Sequence, residues 1–392
     1  MSKIITDKNK IKEVLEKGVE RIYPNKETLE KVLVSGKRIR LYCGYDPTAP
    51  SLHLGHTITL RKLAQFQALG HEVIMLIGDF TAMIGDPTDK TAARKRLAKE
   101  QVRNNLKNYK KQASKILKFS GQNPAKVMFN SKWNSKLSPE KLMDLAFNFS
   151  VQQMLVREMF RERLANDKQI LLPEFLYPLF QAYDSVALEV DLEIGGSDQI
   201  FNMLRGRDLM RALKNKEKFV LATKLLVDPT GKKMGKTEGN MINLDDKPSD
   251  MYGKVMSWPD SLIIPGFELC TDLSIDKIKN PRDAKAQLAR EIVTIYHGKA
   301  VASGAEKEFN RIFKEHKAPE KVKSCKLREK ILNILDLLVR TKLAPSKSEA
   351  KRLVEQKGVK IDKEIVDDWK KEIVIEKGMI LQVGKRKFLK LI

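Results

Sequence analysis

The chain has 392 residues, enough for two or three domains, and a hydrophobic content of 42%, which is ample for a packed core. It carries 74 Lys and Arg against 50 Asp and Glu, a net charge of +24, which favours a polyanionic partner, nucleic acid above all, although a generally lysine-rich proteome would also produce it. The wide spacing of the three cysteines excludes a zinc-finger or disulfide framework, and no stretch resembles a signal peptide or a membrane span, so we expect a cytoplasmic protein.

The predicted elements begin with amphipathic helices over residues 8–36, with Pro24 as a break. Apolar runs at residues 39–43 and 73–77 then predict two buried strands, and residues 56–69 between them have helical spacing. These elements form a βαβ unit with a polar, glycine-containing loop at the carboxyl end of its first strand. Open α/β sheets bind their ligands at this edge.

The loop after the first predicted strand carries Thr48, His53, Gly55 and His56. The helix start beside it offers unpaired N–H groups and a positive dipole end to phosphate. The two rings and the hydroxyl add hydrogen-bonding groups, and Gly55 leaves room for a base or ribose to approach the backbone. The loop therefore predicts a nucleotide site. The alternative is that the two histidines only cap the helix.

The loop after the second predicted strand contains Asp86, between Gly85 and Pro87, at the same edge of the sheet. Its carboxylate is placed to receive an ammonium group, unless it serves only to form the turn. Beyond this loop, residues 91–119 are basic with helical spacing, and residues 126–129 predict a third strand.

Residues 173–189 predict a mostly apolar helix that carries three polar side chains on one face. Tyr177, Gln181 and Asp184 stand at positions i, i+4 and i+7, which is the spacing of a single helix face. Burial of such groups costs free energy unless they bind something. The pattern therefore predicts a ligand-binding face, with a solvated polar edge as the alternative.

Two glycine-containing segments follow. Residues 190–199 predict a short strand that runs into a double glycine and then into a helix start, a turn with room for a ligand. Residues 228–239 form a basic, glycine-containing loop, in which Lys233 and Lys236 can bring two positive charges to a polyphosphate. On its own, a lysine- and glycine-containing loop does not identify a site.

Together these segments resemble the class I aminoacyl-tRNA synthetases, specifically the bacterial type of tyrosyl-tRNA synthetase. His53-Leu54-Gly55-His56 is similar to the HIGH motif, with Leu54 in place of isoleucine. Residues 233–237, Lys-Met-Gly-Lys-Thr, are similar to the KMSKS motif, with Gly235 and Thr237 in place of the serines. Neither departure removes a group that the chemistry needs. The resemblance covers the chain from about residue 30 to its end.

Three further segments resemble the amino-acid pocket of the tyrosine enzymes. They are residues 42–48, the spaced trio Tyr177, Gln181 and Asp184, and residues 195–199. The related tryptophan enzymes lack the Gln/Asp pattern and the appended C-terminal module. The resemblance therefore favours tyrosine as the amino acid.

The resemblance implies an α/β fold in three parts. Residues 1–245 would form a Rossmann-like catalytic domain with a parallel sheet, residues 246–320 an α-helical domain beside the anticodon arm of tRNA, and residues 329–392 a small α+β module. The last part resembles the alpha-L RNA-binding module of a small-subunit ribosomal protein. Its basic helix, capped by Ser346, suits contact with RNA phosphates. An ordinary solvated, lysine-rich helix is the alternative.

The reaction that the resemblance implies has two steps. The carboxylate of tyrosine attacks the α-phosphate of ATP, giving tyrosyl-adenylate and pyrophosphate, and the 3′-terminal adenosine of tRNA then takes the tyrosyl group. A carboxylate is already a nucleophile. We therefore expect catalysis by positioning and by charge stabilisation at the phosphates rather than by a side-chain base.

The resemblance also implies a role for each residue. Those that would act in catalysis at the nucleotide are Thr48, His53, His56, Lys233, Lys236 and Thr237. Those that would bind ATP are Gly44, Asp46, Gly55, Lys236 and, at the ribose, Asp198. Those that would bind tyrosine are Asp86, Tyr177 and Gln181 at the ammonium group, Gln199 near the carboxylate, and Tyr42 and Asp184 at the phenolic hydroxyl.

Tyrosine, ATP and tRNA are thus the expected partners, and Mg²⁺ would accompany ATP without a dedicated protein cage. The resemblance further implies a homodimer, with no membrane association. Two other interpretations remain open. One is a tryptophanyl-tRNA synthetase. The other is a non-catalytic RNA-binding protein on a synthetase scaffold, against which the intact histidines and lysines of the two motifs argue.

Overall fold

The computed structural model describes residues 3–88, 96–227, 241–273, 278–315, 323–327, 329–384 and 387–392. The chain divides into two compact units. The first comprises residues 1–247 and 254–296, and the second comprises residues 248–253 and 297–392. The expected division into three parts stays a prediction. None of the helices in the described ranges combines the length and apolar character that crossing a bilayer requires.

The helices of the described ranges, numbered in chain order, are α1 (Lys8–Glu16), α2 (Lys26–Val34), α3 (Leu54–Ala68), α4 (Thr81–Ile84), α5 (Lys99–Leu106), α6 (Tyr109–Ala113), α7 (Ser131–Asn134), α8 (Pro139–Ala146), α9 (Val151–Leu155), α10 (Glu158–Ala165), α11 (Leu172–Leu188), α12 (Ile200–Lys214), α13 (Pro248–Met256), α14 (Ile263–Cys270), α15 (Pro281–His297), α16 (Lys299–Phe313), α17 (Ile334–Arg340) and α18 (Lys347–Glu355). The strands are β1 (Val19–Tyr23), β2 (Arg40–Tyr45), β3 (Glu72–Ile77), β4 (Lys126–Phe129), β5 (Leu192–Gly196), β6 (Phe219–Thr223), β7 (Lys323–Cys325), β8 (Ile331–Asn333), β9 (Val359–Ile361), β10 (Glu364–Ile365), β11 (Glu372–Val374), β12 (Ile380–Val383) and β13 (Lys387–Leu391).

The first unit is built on a sheet whose described strands have the order β1-β6-β5-β2-β3-β4. Neighbouring strands pair in parallel, except that β1 runs antiparallel to β6 at one edge. The strand order reverses at β2, because β3 and β4 follow on one side and β5 and β6 on the other. Residues 73–77 of β3 are all buried, as expected for an inner parallel strand. The predicted Rossmann-like parallel sheet is confirmed.

The amino-terminal segment departs from the prediction. Residues 19–23 form the edge strand β1, not a helix. Gly18, with φ of +67°, follows the end of α1 in a left-handed conformation that suits glycine. The apolar residues Val14, Leu15, Val19 and Ile22 keep helical spacing across this break. That spacing explains why the pattern alone predicted a continuous helix.

Helices α11 and α12 pack against each other through a buried apolar cluster. The cluster includes Leu179, Phe180 and Val186 of α11 and Leu209 and Met210 of α12. Apolar side chains thus anchor one side of α11. Its polar trio, at residues 177, 181 and 184, lines a cavity at the sheet edge instead.

The second unit carries a separate core around α17 and α18. Ile334, Leu337 and Leu338 of α17 and Val354 of α18 are buried there together with Leu381 of β12. The described strands form one sheet in the order β10-β9-β12-β13-β7 and a pair, β11-β8. Two helices followed by short strands were expected, and the structure adds β7 and β8 before the helices. The predicted cap is confirmed, because the Ser346 hydroxyl accepts a hydrogen bond from the N–H of Glu349.

Candidate active site

A cavity of about 310 Å³ lies at the carboxyl ends of β2, β3, β5 and β6. It occupies the place where the strand order reverses, which is the usual ligand site of such a sheet. The predicted site residues within the described ranges all line it: Tyr42, Gly44, Asp46, Thr48, His53, Gly55, His56, Asp86, Tyr177, Gln181, Asp184, Asp198 and Gln199. Lys233, Lys236 and Thr237 lie outside the described residues.

Asp184 is a buried carboxylate that receives hydrogen bonds from three side chains. Its partners are Nε1 of Trp133 at 2.7 Å, Nδ2 of Asn134 at 3.0 Å and Nδ2 of Asn130 at 3.2 Å. Burial raises the pKa of Asp184 to about 8, and the three hydrogen bonds oppose this shift. Each of these partners is a donor, so both carboxyl oxygens of Asp184 act as acceptors, with further acceptor capacity for a ligand.

Tyr42 lies in the same cavity wall and is 1% exposed. Its hydroxyl is 2.9 Å from the Oγ of Ser185. Burial, with Glu193 and Asp184 nearby, raises the pKa of Tyr42 well above its usual range, so the hydroxyl stays protonated. The wall therefore offers a neutral hydroxyl and a carboxylate, a pair that can both donate to and accept from one ligand hydroxyl.

Gln181 and Tyr177 present acceptor groups beside this wall. Nε2 of Gln181 donates to Oε1 of Glu193 at 3.1 Å, while Oε1 of Gln181 is buried without a hydrogen-bond partner among the described residues. The hydroxyl of Tyr177 donates to Oδ2 of Asp46 at 3.0 Å, which leaves its lone pairs as acceptors. Buried acceptors of this kind are normally satisfied, so these atoms point to a ligand that brings donors.

Asp86 and Gln199 are joined directly. Nε2 of Gln199 donates to Oδ2 of Asp86 at 2.7 Å, and Oε1 of Gln199 accepts from Nδ2 of Asn202 at 3.0 Å. The other oxygen of Asp86 accepts from the N–H and the hydroxyl of Thr88, at 2.9 and 2.6 Å. One carboxylate oxygen of Asp86 therefore forms the turn, as the alternative interpretation proposed. The other oxygen accepts a hydrogen bond from Gln199, a residue of the predicted tyrosine site.

The two histidines stand at the start of α3. His53 is the N-cap residue, and its backbone N–H donates to Nδ1 of His56 at 3.1 Å. The rings are 3.8 Å apart between centroids. Nδ1 of His56 therefore takes part in capping the helix, as the alternative interpretation proposed. In the neutral ring of His56 the proton then lies on Nε2. A Cβ at Gly55 would lie 3.0 Å from the ring of His53, so the glycine makes room for that ring.

Gly78, which follows β3, allows Asp46 to reach its partners. A Cβ at position 78 would lie 1.9 Å from Oδ1 of Asp46, and this same oxygen accepts from the hydroxyl of Thr81 at 2.7 Å. Asp198 lies in the short 3₁₀ turn that follows β5, where a Cβ at Gly196 would come within 2.4 Å of its carboxylate. The glycines at both strand ends therefore make space for cavity carboxylates.

The loop that carries Thr48 is held by three side chains, which we call the loop clasp: Asn105, Tyr109 and Gln112. Asn105 donates to the carbonyl of Pro47 at 2.9 Å, and Tyr109 donates to the carbonyl of Ala49 at 2.8 Å. Gln112 accepts from the N–H of Leu52 at 2.8 Å. Sequence reasoning missed the clasp. Its signal was polar residues at positions i, i+4 and i+7 within the segment predicted only as basic and helical.

Two protein-family models match this chain. The family model described as tRNA synthetases class I (W and Y) matches residues 35–314, and the model described as S4 domain matches residues 333–373. The tyrosine–tRNA ligase of Moorella thermoacetica is 42% identical, over 96% of this chain and 94% of that protein. The tyrosine–tRNA ligase of Haemophilus influenzae is also 42% identical, over 98% of this chain and 97% of that protein.

Solved structures show the same fold. A C-terminally truncated mitochondrial tyrosyl-tRNA synthetase of Aspergillus nidulans has a TM-score of 0.66 and 24% identity, over 78% of this chain and 94% of that one. The corresponding truncated enzyme of Coccidioides posadasii has a TM-score of 0.62 and 26% identity, over 76% of this chain and 91% of that one. With near full-length relatives at 42% identity, the chain belongs to the tyrosyl-tRNA synthetase family of the class I aminoacyl-tRNA synthetases.

Proposed function

We propose that this protein is a tyrosine–tRNA ligase, which forms tyrosyl-adenylate and pyrophosphate from tyrosine and ATP and then transfers tyrosine to the 3′-terminal adenosine of its tRNA. The observation that carries the proposal is the buried pair of Tyr42 and Asp184 in the cavity wall. A phenolic hydroxyl both donates and accepts, so it satisfies both groups. An indole offers only an N–H donor, and the ring of phenylalanine offers neither.

The head group of tyrosine is proposed to lie between Asp86, Tyr177 and Gln181, with Gln199 near its carboxylate. The buried, unpartnered Oε1 of Gln181 supports this placement, because an ammonium group brings the donors that this atom requires. The hydroxyl of Tyr177 keeps acceptor capacity beside it, and Asp86 supplies a negative charge.

ATP is proposed to bind at the start of α3. Thr48 and His53 would face the polyphosphate and Gly55 and His56 the adenosine, since a helix N-terminus favours phosphate. The other residues proposed on the nucleotide side are Gly44, Asp46 and, at the ribose, Asp198. A Cβ at Gly44 would meet nothing within 4 Å, which supports open space there. Lys233, Lys236 and Thr237 would act on the leaving pyrophosphate, a role that rests on the motif alone.

The chemistry proposed for the first step is direct attack by the tyrosine carboxylate on the α-phosphate. The protein then has to align the two substrates and to stabilise charge on the phosphates. Within the described ranges, no group of three or more His, Cys, Asp or Glu side chains is placed to hold a metal ion. We propose that Mg²⁺ enters on the phosphates of ATP, as is usual for an ion that keeps several waters.

The S4 domain at residues 333–373 is proposed to bind the tRNA, and the net charge of +24 supports attraction to the tRNA phosphates.

Association with a second copy of the chain is proposed as well. It is supported by large apolar side chains exposed along α8 to α11, where Phe147 is 83% and Leu172 is 74% exposed. Action in the cytoplasm, where tRNA is charged, is part of the same proposal.

The experiment that tests the function is ATP–pyrophosphate exchange with each of the twenty amino acids in turn. Tyrosine alone is expected to drive the exchange. Exchange driven by tryptophan would identify a tryptophanyl-tRNA synthetase. A folded protein that binds tRNA but supports no exchange with any amino acid would identify a non-catalytic RNA-binding protein.

A further inference from the structure

A charged network adjoins Tyr42 and is not used by the proposed mechanism. It consists of Lys218, which immediately precedes β6, Glu193 of β5 and Ser185 of α11. Their exposed fractions are 0%, 2% and 0%. Lys218 and Glu193 form an ion pair in the interior. A Cβ at Gly206 would lie 2.5 Å from Nζ of Lys218, so this glycine of α12 provides the space for the ammonium group.

Glu193 itself lines the cavity, and the network also reaches two other lining residues, Tyr42 and Gln181. Nζ of Lys218 donates to Oγ of Ser185 at 2.9 Å, and this Oγ is 2.9 Å from the hydroxyl oxygen of Tyr42. On its other branch, Oε1 of Glu193 accepts from Nε2 of Gln181 at 3.1 Å. The ion pair is therefore connected both to the phenol end and to the ammonium end of the proposed tyrosine site.

Stability alone is a poor explanation for this pair. Desolvation of two buried charges is costly, and well-packed apolar residues in the same place are often as stable or more stable. Burial lowers the pKa of Lys218 against the opposing effect of Glu193. A charged pair kept at such a cost, connected by hydrogen bonds to two site residues, points to a role in setting their hydrogen bonds.

Counting protons limits the possible directions of these hydrogen bonds. An ammonium group only donates, so Ser185 accepts from Lys218. The single proton of Ser185 can go to Tyr42 at 2.9 Å or to Oε2 of Glu193 at 3.3 Å. The carboxylate of Glu193 already receives Lys218 and Gln181, and the contact with Tyr42 is the shorter one. The shorter contact and the two donors already on Glu193 favour Ser185 as the donor to Tyr42, which would leave the proton of Tyr42 for the cavity.

We propose that Lys218, acting through Ser185, is a positioning residue that makes Tyr42 a hydrogen-bond donor to the phenolic oxygen of tyrosine, while Asp184 accepts the phenolic proton. The hydrogen bonds then run in one direction: Lys218 donates to Ser185, Ser185 to Tyr42, Tyr42 to the phenolic oxygen of tyrosine, and the phenolic hydroxyl to Asp184. Glu193 has a parallel effect on Gln181. Glu193 accepts a hydrogen bond from the NH₂ group of Gln181, so the side-chain carbonyl oxygen of Gln181 is left for the ammonium group of tyrosine. This inference rests on the proposed role of Tyr42.

The variant Ser185→Ala tests the chain with the smallest change, because it keeps the ion pair and removes the bridging hydroxyl. The measurement is ATP–pyrophosphate exchange with tyrosine and with phenylalanine. We expect the ratio of kcat/KM for tyrosine over phenylalanine to fall roughly tenfold, as for the loss of one hydrogen bond. The change should lie in the KM for tyrosine, with the KM for ATP unchanged. A folded variant that keeps the wild-type ratio would overturn the inference.

A matched control is Thr271→Val. Thr271 is fully buried, its hydroxyl donates to the carbonyl of Phe267 at 2.9 Å, and it is not among the described residues that line the cavity. This variant is expected to lose stability to a similar extent and to keep the wild-type ratio. A similar fall in the control would mean that any buried hydroxyl has this effect, which would also overturn the inference.

Removal of the charge gives a second test. Lys218→Met alone leaves Glu193 buried and unpaired, so we expect poor folding. The double variant Lys218→Met/Glu193→Gln removes both charges and is expected to fold. Its ratio of kcat/KM for tyrosine over phenylalanine is expected to be lower than that of the wild type, as in Ser185→Ala. A folded double variant with wild-type discrimination would contradict the role of Lys218. The variant Tyr42→Phe distinguishes failure of the proposed tyrosine site from failure of this inference. If Tyr42→Phe also leaves the ratio unchanged, the proposed site is wrong. If it lowers the ratio while the other variants do not, only the role of Lys218 and Ser185 is wrong.

Discussion

The side-chain carbonyl of Gln112 accepts a hydrogen bond at 2.8 Å from the backbone N–H of Leu52, which is 60 positions earlier in the chain. The amide group of the same side chain donates to the hydroxyl of Ser51 at 3.1 Å. Gln112 thus holds Ser51 and Leu52, which lie between Thr48 and His53, although it is not itself among the described residues that line the cavity. The loop clasp makes the shape of the proposed ATP site depend on α5 and α6.

The variant Gln112→Leu should weaken ATP binding more than tyrosine binding. It leaves the buried N–H of Leu52 unsatisfied, which costs about 1–3 kcal/mol. We expect the KM for ATP to rise several-fold in ATP–pyrophosphate exchange, with the KM for tyrosine nearly unchanged. Gln67→Leu is the matched control, because Gln67 is equally buried and bonds the carbonyls of Lys118 and Asn123. Equal shifts in both variants would contradict a specific role for the clasp.

The variant Asp184→Ala should lose activation of tyrosine. The wild-type enzyme should prefer tyrosine to phenylalanine by roughly 10⁴–10⁵, the range known for tyrosyl-tRNA synthetases themselves. The physical reason is that phenylalanine has no hydroxyl, so the hydrogen bonds proposed between the substrate and Tyr42 and Asp184 are lost. Asp79→Ala is the control, because Asp79 is another hydrogen-bonded carboxylate, which accepts from the N–H and the hydroxyl of Ser131 outside the described cavity lining. Unchanged tyrosine-dependent exchange in Asp184→Ala would remove this residue from the site.

The raised pKa of Asp184, about 8, predicts a pH dependence of stability. The folded protein keeps a proton that the unfolded chain releases near pH 4. Its contribution to the free energy of unfolding is therefore present below about pH 4 and is lost as the pH rises to about 8. We expect the wild-type melting temperature to fall more between pH 5 and pH 8 than that of Asp184→Asn. Parallel slopes for the two proteins would contradict the shift.

Tyrosine should reverse part of this trend. A phenolic hydroxyl that donates to Asp184 favours the ionised carboxylate, so tyrosine binding should tighten as the pH rises from 6 to 8. Thermal shift by tyrosine at fixed excess, measured across this range, checks the sign. Binding that weakens over the same range would mean that Asp184 acts as the protonated partner.

Sequence reasoning found the parts of the site that local patterns reveal. The third predicted strand, residues 126–129, coincides with β4, and the motif residues within the described ranges line one cavity. Trp133 and Asn134 were missed, because their hydrogen bonds to Asp184 join elements about fifty positions apart. Glu193 and Lys218 were missed as well, although they are only 25 positions apart. A buried lysine has no periodic signal, and its partner stands in an otherwise apolar strand.

The basic loop of residues 228–239 should act mainly in the transition state. Lys233→Ala and Lys236→Ala are each expected to lower the rate of adenylate formation by roughly 10²–10³, by analogy with the loss of one oxyanion-hole donor. Tyrosine affinity should change little, because the charge develops on the phosphates. Lys232→Ala, the neighbouring lysine outside the motif, is the control. Equal losses of rate and tyrosine affinity would mean instead that the loop shapes the amino-acid pocket.

Removal of the C-terminal module should separate the two steps of the reaction. Every residue proposed to act in adenylate formation precedes residue 240, and the core around α17 and α18 is built from residues of the module. A chain that ends near Glu320 is therefore expected to fold and to form tyrosyl-adenylate at close to the full-length rate.

The same truncated chain should bind tRNA weakly and charge it slowly. Contacts between basic side chains and phosphates release counterions, so tRNA affinity falls with salt, and fewer contacts give a shallower slope of log affinity against log salt concentration. We expect this slope to be reduced and the transfer of tyrosine to tRNA to drop sharply while exchange persists. The measurement pairs a salt titration of tRNA binding with aminoacylation and exchange rates for both chains. Wild-type charging and salt response in the truncated chain would show that tRNA is held by the first 320 residues instead.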